Sequence, residues 1–199
     1  MFTGIVEGTG TVQAASRRGD VLSIRVEVGG LFEGLPLGGS IAINGCCLTA
    51  VRSDAKGFEV ELTGETLRRT RFDERLQPGT LVNLERPMRA DGRFDGHVVQ
   101  GHVDGVGRVV ELRRLGESAE IRIEAPAELA RYLVEKGSVT VDGISLTAYG
   151  IDAGTFSVAL IPYTLQVTNL RDARPGGLVN LEADVIAKYV ERLLAARGL

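Results

Sequence analysis

Short runs along the chain alternate apolar and polar side chains with a period of two. Leu22-Ser23-Ile24-Arg25-Val26-Glu27-Val28, Phe58-Glu59-Val60-Glu61-Leu62 and Glu120-Ile121-Arg122-Ile123-Glu124 are the clearest. Such alternation predicts antiparallel strands with one face buried and one wet. Glycines and turn residues punctuate the runs at short intervals, and many short strands with frequent turns predict a barrel or sandwich. Two segments carry helical spacing instead. From Asp184, the residues Val185, Ile186, Tyr189, Val190, Leu193 and Leu194 fall on one stripe. Asp184 is placed to cap this helix and Gly198 to stop it. Pro126–Lys136 predicts a shorter helix, with Pro early and Leu129, Leu133 and Val134 facing inward.

The pattern occurs twice. Gly45-Cys46-Cys47-Leu48-Thr49-Ala50 matches Gly143-Ile144-Ser145-Leu146-Thr147-Ala148, 98 residues on. The same shift aligns Gly39-Ser40 with Gly137-Ser138 and Glu65-Thr66-Leu67 with Tyr163-Thr164-Leu165. A shift of 97 aligns Gly4–Gly8 with Gly101–Gly105, and Leu81–Glu85 with Leu178–Glu182. Blocks kept in one order with nearly one spacing predict two homologous units. The polar stretch Arg89–Gly96 is the expected boundary. The expectation is all-β with helices: two tandem barrels, residues 1–97 and 98–183, and a C-terminal α-helix over 184–199. Each half is near the lower size limit for folding alone, so mutual packing is expected. Two copies offer two equivalent pockets for two similar ligands, unless they merely stabilise each other.

Composition narrows the classes. With 199 residues, 44% of them hydrophobic, the chain can bury a core, and a formal charge of −3 advertises no nucleic-acid partner. No run of 18 apolar residues predicts a membrane span, and residues 1–12 lack the basic and apolar regions of a signal peptide. The two cysteines are adjacent, Cys46 and Cys47, a spacing that strains a disulfide; reduced thiols in the cytoplasm are expected.

The start MFTGIVEGTGTV, with NGCCLTAV (44–51), GETLRRT (64–70), GHVVQGHVDGVG (96–107), KGSVTVDGISLTAYGID (136–152), IPYTL (161–165) and the C-terminal stretch 180–197, resembles the riboflavin synthases of the alpha-chain, lumazine-dismutating type. The resemblance covers essentially the whole chain in order. It implies six strands in each barrel and a transferase that uses no metal or redox cofactor. Its substrate would be a small-molecule lumazine, two copies of which stack and exchange a four-carbon unit. The family assembles as homotrimers through the C-terminal helix, with the site between the first barrel of one subunit and the second barrel of its neighbour. Lumazine synthase is a candidate partner; a nucleic acid or a membrane is not expected.

The chemistry needs a proton taken from the methyl group on C7 of one lumazine and a nucleophile to activate C7 of the other. The resemblance places Cys47, His102, Ser145 and Asp184 as catalytic residues. Phe2, Gly4, Ile5, Val6, Leu48, Thr49, Glu65, Thr66, Gly101, Lys136, Leu146, Thr147, Ile161, Pro162 and Thr164 are placed as substrate-binding. Each has a plainer reading. Cys47 and Ser145 hold equivalent positions yet differ, which favours chemistry, but Cys47 could be a small buried hydrophobe and Ser145 could bond local backbone. His102 suits proton transfer near neutrality and has Ile5 as its counterpart; His97, in the expected linker, reads as structural. Thr49 and Thr147 suit a strand surface as well as a ring edge. Phe2 and glycines 4 and 101 would let backbone approach a flat ring. Lys136 and Glu65 could bind ribityl hydroxyls, although Lys136 could equally cap a helix. Asp184 needs no more than its capping role. Tyr163 stands where Glu65 stands in the first copy, so the ribityl contacts of the second barrel are left open. Two other classes compete: a non-catalytic lumazine- or flavin-binding antenna protein, which would lack the catalytic residues, and a flavoprotein reductase, which would need a G-x-G-x-x-G turn that this chain lacks.

Overall fold

The computed structural model describes residues 1–32, 35–72 and 76–198; of the expected C-terminal segment, Leu199 alone lies outside them. In the first repeat, β1 (Gly8–Arg18), β2 (Val21–Glu27), β3 (Ser40–Ile43), β4 (Cys46–Asp54), β5 (Gly57–Leu62) and β6 (Leu81–Glu85) close into an antiparallel barrel in the order β1-β2-β5-β4-β3-β6. The second repeat contributes β7 (Gly105–Leu115), β8 (Ser118–Glu124), β9 (Ser138–Val141), β10 (Ile144–Thr147), β11 (Tyr149–Asp152), β12 (Thr155–Leu160) and β13 (Leu178–Ala183). Its order is β10-β9-β13-β7-β8-β12-β11. The two edge strands, β10 and β11, are consecutive and separated only by Ala148. Read as one interrupted strand, they are the counterpart of β4, and the order of the first barrel is restored.

The alternating runs end where their periodicity puts them. In β2 and β8, Leu22, Ile24 and Val26, and then Ala119, Ile121 and Ile123, point inward to separate cores. Register shifts after Val12 in β1 and Val109 in β7 bend both barrels at the same place. A short helix in each repeat, α1 (Gly64–Arg69) and α3 (Pro162–Val167), caps the end of β5 or β12. The helix expected over Pro126–Lys136 reduces to α2 (Ala127–Ala130). Beyond it the backbone bonds span three residues, Tyr132 to Leu129 and Gly137 to Val134, and the Lys136 amide donates to Ala148 between β10 and β11. Leu129 is buried and Leu133 half-buried, but Val134 faces solvent at 61% exposure, because the chain turns before completing the helical face. The expected terminal helix is α4 (Val185–Ala195), and the Asp184 carboxylate accepts from the Ile186 amide at 2.9 Å.

Buried polar groups weld the repeats along a pseudo-twofold axis. The Asn83 amide group donates to the Asp142 carbonyl at 2.8 Å, and its counterpart Asn180 donates to the Asn44 carbonyl at 2.9 Å. Arg71 pairs with Asp142 at 2.9 Å across the repeats. Burial pushes the Asp142 carboxyl up, against the pull of the Arg71 guanidinium. Removing one member of such a pair strands a buried charge, at a cost of about 3–5 kcal/mol.

Candidate active site

Each repeat begins with a segment that is held by the last strand of its own repeat and crosses to the other repeat. Phe2 and Val99 bridge, exchanging N–H···O bonds of 2.8 and 3.2 Å. From this crossing each segment runs onto the other repeat. Val6 packs against the second core and Val103 against the first. The Ser145 amide donates to the Gly4 carbonyl at 2.7 Å, and the Cys47 amide to the Gly101 carbonyl at 2.8 Å. Both glycines have left-handed backbones, φ +77° and +79°; a Cβ on Gly4 would lie 2.7 Å from the Ser145 Cβ, and one on Gly101 2.6 Å from the Cys47 Cβ. No other residue fits both the backbone and the space.

Ser145, half-buried on β10, meets a partner that sequence reading assigned a structural role. Its Oγ lies 2.6 Å from Nδ1 of His97, and Nε2 of the same ring lies 3.2 Å from the Thr140 hydroxyl on β9. The His97 amide donates to the Thr3 carbonyl at 3.1 Å. Burial pulls the imidazole below its ordinary value, opposed by the Asp184 carboxylate. His97 is therefore neutral near pH 7, with one ring nitrogen donating and the other accepting. A hydroxyl on an imidazole whose far nitrogen is itself held can lose its proton to that ring. Cys47, the counterpart of Ser145, is half-buried against Phe2, Ala42 and Val99, and among the described residues its thiol has no hydrogen bond to an imidazole like that of the Ser145 hydroxyl. Burial pushes the thiol of its neighbour Cys46 up to about 12, so Cys46 stays protonated.

Against this geometry stand the likenesses to known proteins. A family described as the lumazine binding domain matches twice, over residues 3–87 and 100–184. The chain is 46% identical over 202 residues to the riboflavin synthase of Mycobacterium bovis, covering all of both. It is 43% identical to that of Photobacterium phosphoreum, covering 98% of this chain and 89% of that one. The riboflavin synthase of Actinobacillus pleuropneumoniae is 41% identical, with 98% and 90% covered. The chain belongs to the riboflavin synthase family. Among solved structures, LumP complexed with riboflavin superposes with a TM-score of 0.86 at 25% identity, covering 92% of this chain and 99% of that one.

The residues expected from the family likeness fall into two matched sets. On the first barrel lie Cys47, Leu48 and Thr49 of β4 and Glu65 and Thr66 of α1, with Gly101 and the exposed His102 on the segment crossing to it. Glu65 is exposed and held by Arg68 and Arg69 at 2.6 and 3.1 Å. On the second barrel lie Ser145, Leu146 and Thr147 of β10, and Ile161, Pro162 and Thr164 around the start of α3, with Gly4, Ile5 and Val6 crossing to it. Phe2 is buried at the crossing itself. Lys136 holds a left-handed backbone, φ +62°, where the first repeat has Gly38, and its ammonium sits 4.7 Å from the Tyr149 ring centroid. Asp184 is half-buried, joining β13 to α4. His97 and the buried carboxylates Glu85 and Glu182 were not singled out from sequence. The one available signal for the carboxylates was the repeated Leu-Val-Asn-Leu-Glu, whose final charge breaks an otherwise inward-facing strand.

Proposed function

We propose that the chain is a working riboflavin synthase: it converts two molecules of 6,7-dimethyl-8-ribityllumazine into riboflavin and 5-amino-6-(D-ribitylamino)uracil by four-carbon transfer. The observation that carries this reading is the Ser145–His97 pair, a hydroxyl held 2.6 Å from a neutral imidazole in one repeat where the other repeat has a thiol among apolar groups. A duplicated protein that only held two identical rings would have no use for that difference. Ser145, with His97 as its base, activates C7 of the ring on the second barrel. The electron-poor ring on the first barrel, beside Cys47, delocalises the charge left when its C7 methyl group loses a proton, so the protein has only to align two rings and move protons.

The exposed stripe of α4, with Ile186, Tyr189 and Leu193 at 60–65% exposure, supports assembly into a homotrimer. In such an assembly the first barrel of one subunit faces the second barrel of the next, and His102 and Asp184 lie where the neighbour closes the site. The free, adjacent thiols fit the cytoplasm.

The test is direct. Purified protein given the lumazine alone, with no added cofactor, is expected to show the absorbance change of riboflavin formation. Stoichiometric binding of the lumazine as a stable fluorophore without turnover would favour the antenna reading instead.

A further inference from the structure

Each repeat carries a buried carboxylate at or next to the end of its last strand, Glu85 on β6 and Glu182 on β13. Both point at backbone. Glu85 accepts from the Thr3 amide at 2.7 Å, the Thr3 hydroxyl at 2.9 Å and the Gly4 amide at 3.0 Å. Glu182 accepts from the amides of Gln100, Gly101 and His102 at 2.7, 3.0 and 3.1 Å. The carbonyls of these same glycines take the amides of Ser145 and Cys47 on the opposite barrel.

We propose that Glu85 and Glu182 are positioning residues acting crosswise: each grips the leading segment of its own repeat and thereby sets the reactive side chain of the other barrel. Glu85 sets Ser145 and His97, and Glu182 sets Cys47. The links are short. Glu85 holds Thr3, whose carbonyl receives the His97 amide, and it holds Gly4, whose Cα approaches Ser145 too closely to tolerate a methyl group. Sliding the segment by a few tenths of an ångström would separate the hydroxyl from the imidazole. Glu182 likewise reaches Cys47 through Gly101.

The carboxylates are also chemically loaded. Burial raises both above the usual carboxylate range, Glu182 to about 7. Around Glu182 stand Lys188 of α4, which favours its charge, Asp104 before β7, which opposes it, and the protonated Cys46 of β4. Around Glu85 stands Glu7, also opposing. Protonation removes an acceptor from the backbone amides that point at each carboxylate, so the grip weakens as pH falls.

This inference rests on the reading that Ser145 and Cys47 serve the reaction, but its test does not depend on turnover. Glu85→Gln and Glu182→Gln keep size while turning one oxygen into a donor that faces donors. The His97 imidazole is titrated by NMR and the Cys47 thiol by its rate of alkylation with iodoacetamide. Glu85→Gln should bring the His97 titration up towards its ordinary value and leave Cys47 alkylation unchanged. Glu182→Gln should change Cys47 alkylation by about threefold or more and leave His97 unchanged. With the lumazine, each variant should lose kcat far more than it raises KM, and Glu85→Gln should add nothing to Ser145→Ala. Equal effects of both variants on both readouts would mean general loosening and would overturn the proposal, as would no effect on either. If the glutamine variants do not fold, Thr3→Val, which removes one bond to Glu85 and keeps its charge, must still shift His97 and spare Cys47. A wild-type protein that fails to convert the lumazine while showing the crosswise pattern would overturn the functional reading and leave this one standing.

Discussion

At the scale of single residues, the role proposed for the Ser145 hydroxyl can be told apart from ring binding. Ser145→Ala is expected to lower turnover by at least about tenfold, on the order of 1.4 kcal/mol of transition-state stabilisation. Ring binding, measured by lumazine fluorescence, should change much less, because the stacking surface remains. His97→Gln should cost as much, and the double variant little more than either alone, because the two act as a unit; additive losses would break the pair. The two buried ionisable groups pull stability in opposite directions with pH. His97 is held below the unfolded value of about 6.5, so the unfolded chain takes up a proton that the folded chain refuses, and stability falls as pH drops below 6.5. Glu182 is raised from 4.5 to about 7, so the folded state binds the extra proton. Its contribution is fully present below 4.5 and lost as pH rises through 7. Denaturant unfolding should therefore show Glu182→Gln gaining on the wild type between these values, by on the order of 3 kcal/mol. A pH-independent difference would mean that Glu182 stays ionised throughout.

At the scale of elements, the period-two runs located β2, β5 and β8, and the apolar stripe with its Asp184 cap located α4. Both signals are local, so one chain suffices to read them. What failed locally was decided elsewhere. The predicted helix after Pro126 stops at Ala130, and the Lys136 amide bonds instead to Ala148, between β10 and β11, a contact that local periodicity does not signal. Leu129→Ala should cost about 2–5 kcal/mol in unfolding experiments, whereas Val134→Lys should be nearly neutral; a large effect of the second would restore the longer helix. The interruption of the β4 counterpart at Ala148 and the short helices α1 and α3 were equally silent. The candidate site was half legible. Cys47 and Ser145 stood out because the repeats can be aligned on each other and differ there. His97 did not, because it lies in what reads as linker and its partner is 48 residues away.

At the scale of the whole molecule, α4 carries an uncovered apolar face. The helix is fixed to its own barrel by Lys188 on Asp104 at 2.6 Å and by Tyr132 on Glu191 at 2.6 Å, which leaves Ile186, Tyr189 and Leu193 turned outward. Light scattering at micromolar concentration is expected to give a trimer, and Tyr189→Glu with Leu193→Glu to give smaller species with impaired turnover; a wild-type monomer would remove the basis for a site shared between subunits. The crossing at Phe2 and Val99 makes a further demand. A fragment of residues 1–97 keeps its leading segment but loses the barrel it runs onto, and its own barrel loses the cover of Gly101 and Val103. Such a fragment should pair with a second copy of itself, each lending its start to the other, and sedimentation would show a dimer rather than a monomer. The same crossing bears on descent. A one-repeat ancestor would have met that demand by exchanging its first residues with a twin. Joining such twins end to end would make the exchange internal and permanent, and would free two once-identical positions to become a thiol on one side and a hydroxyl on the other.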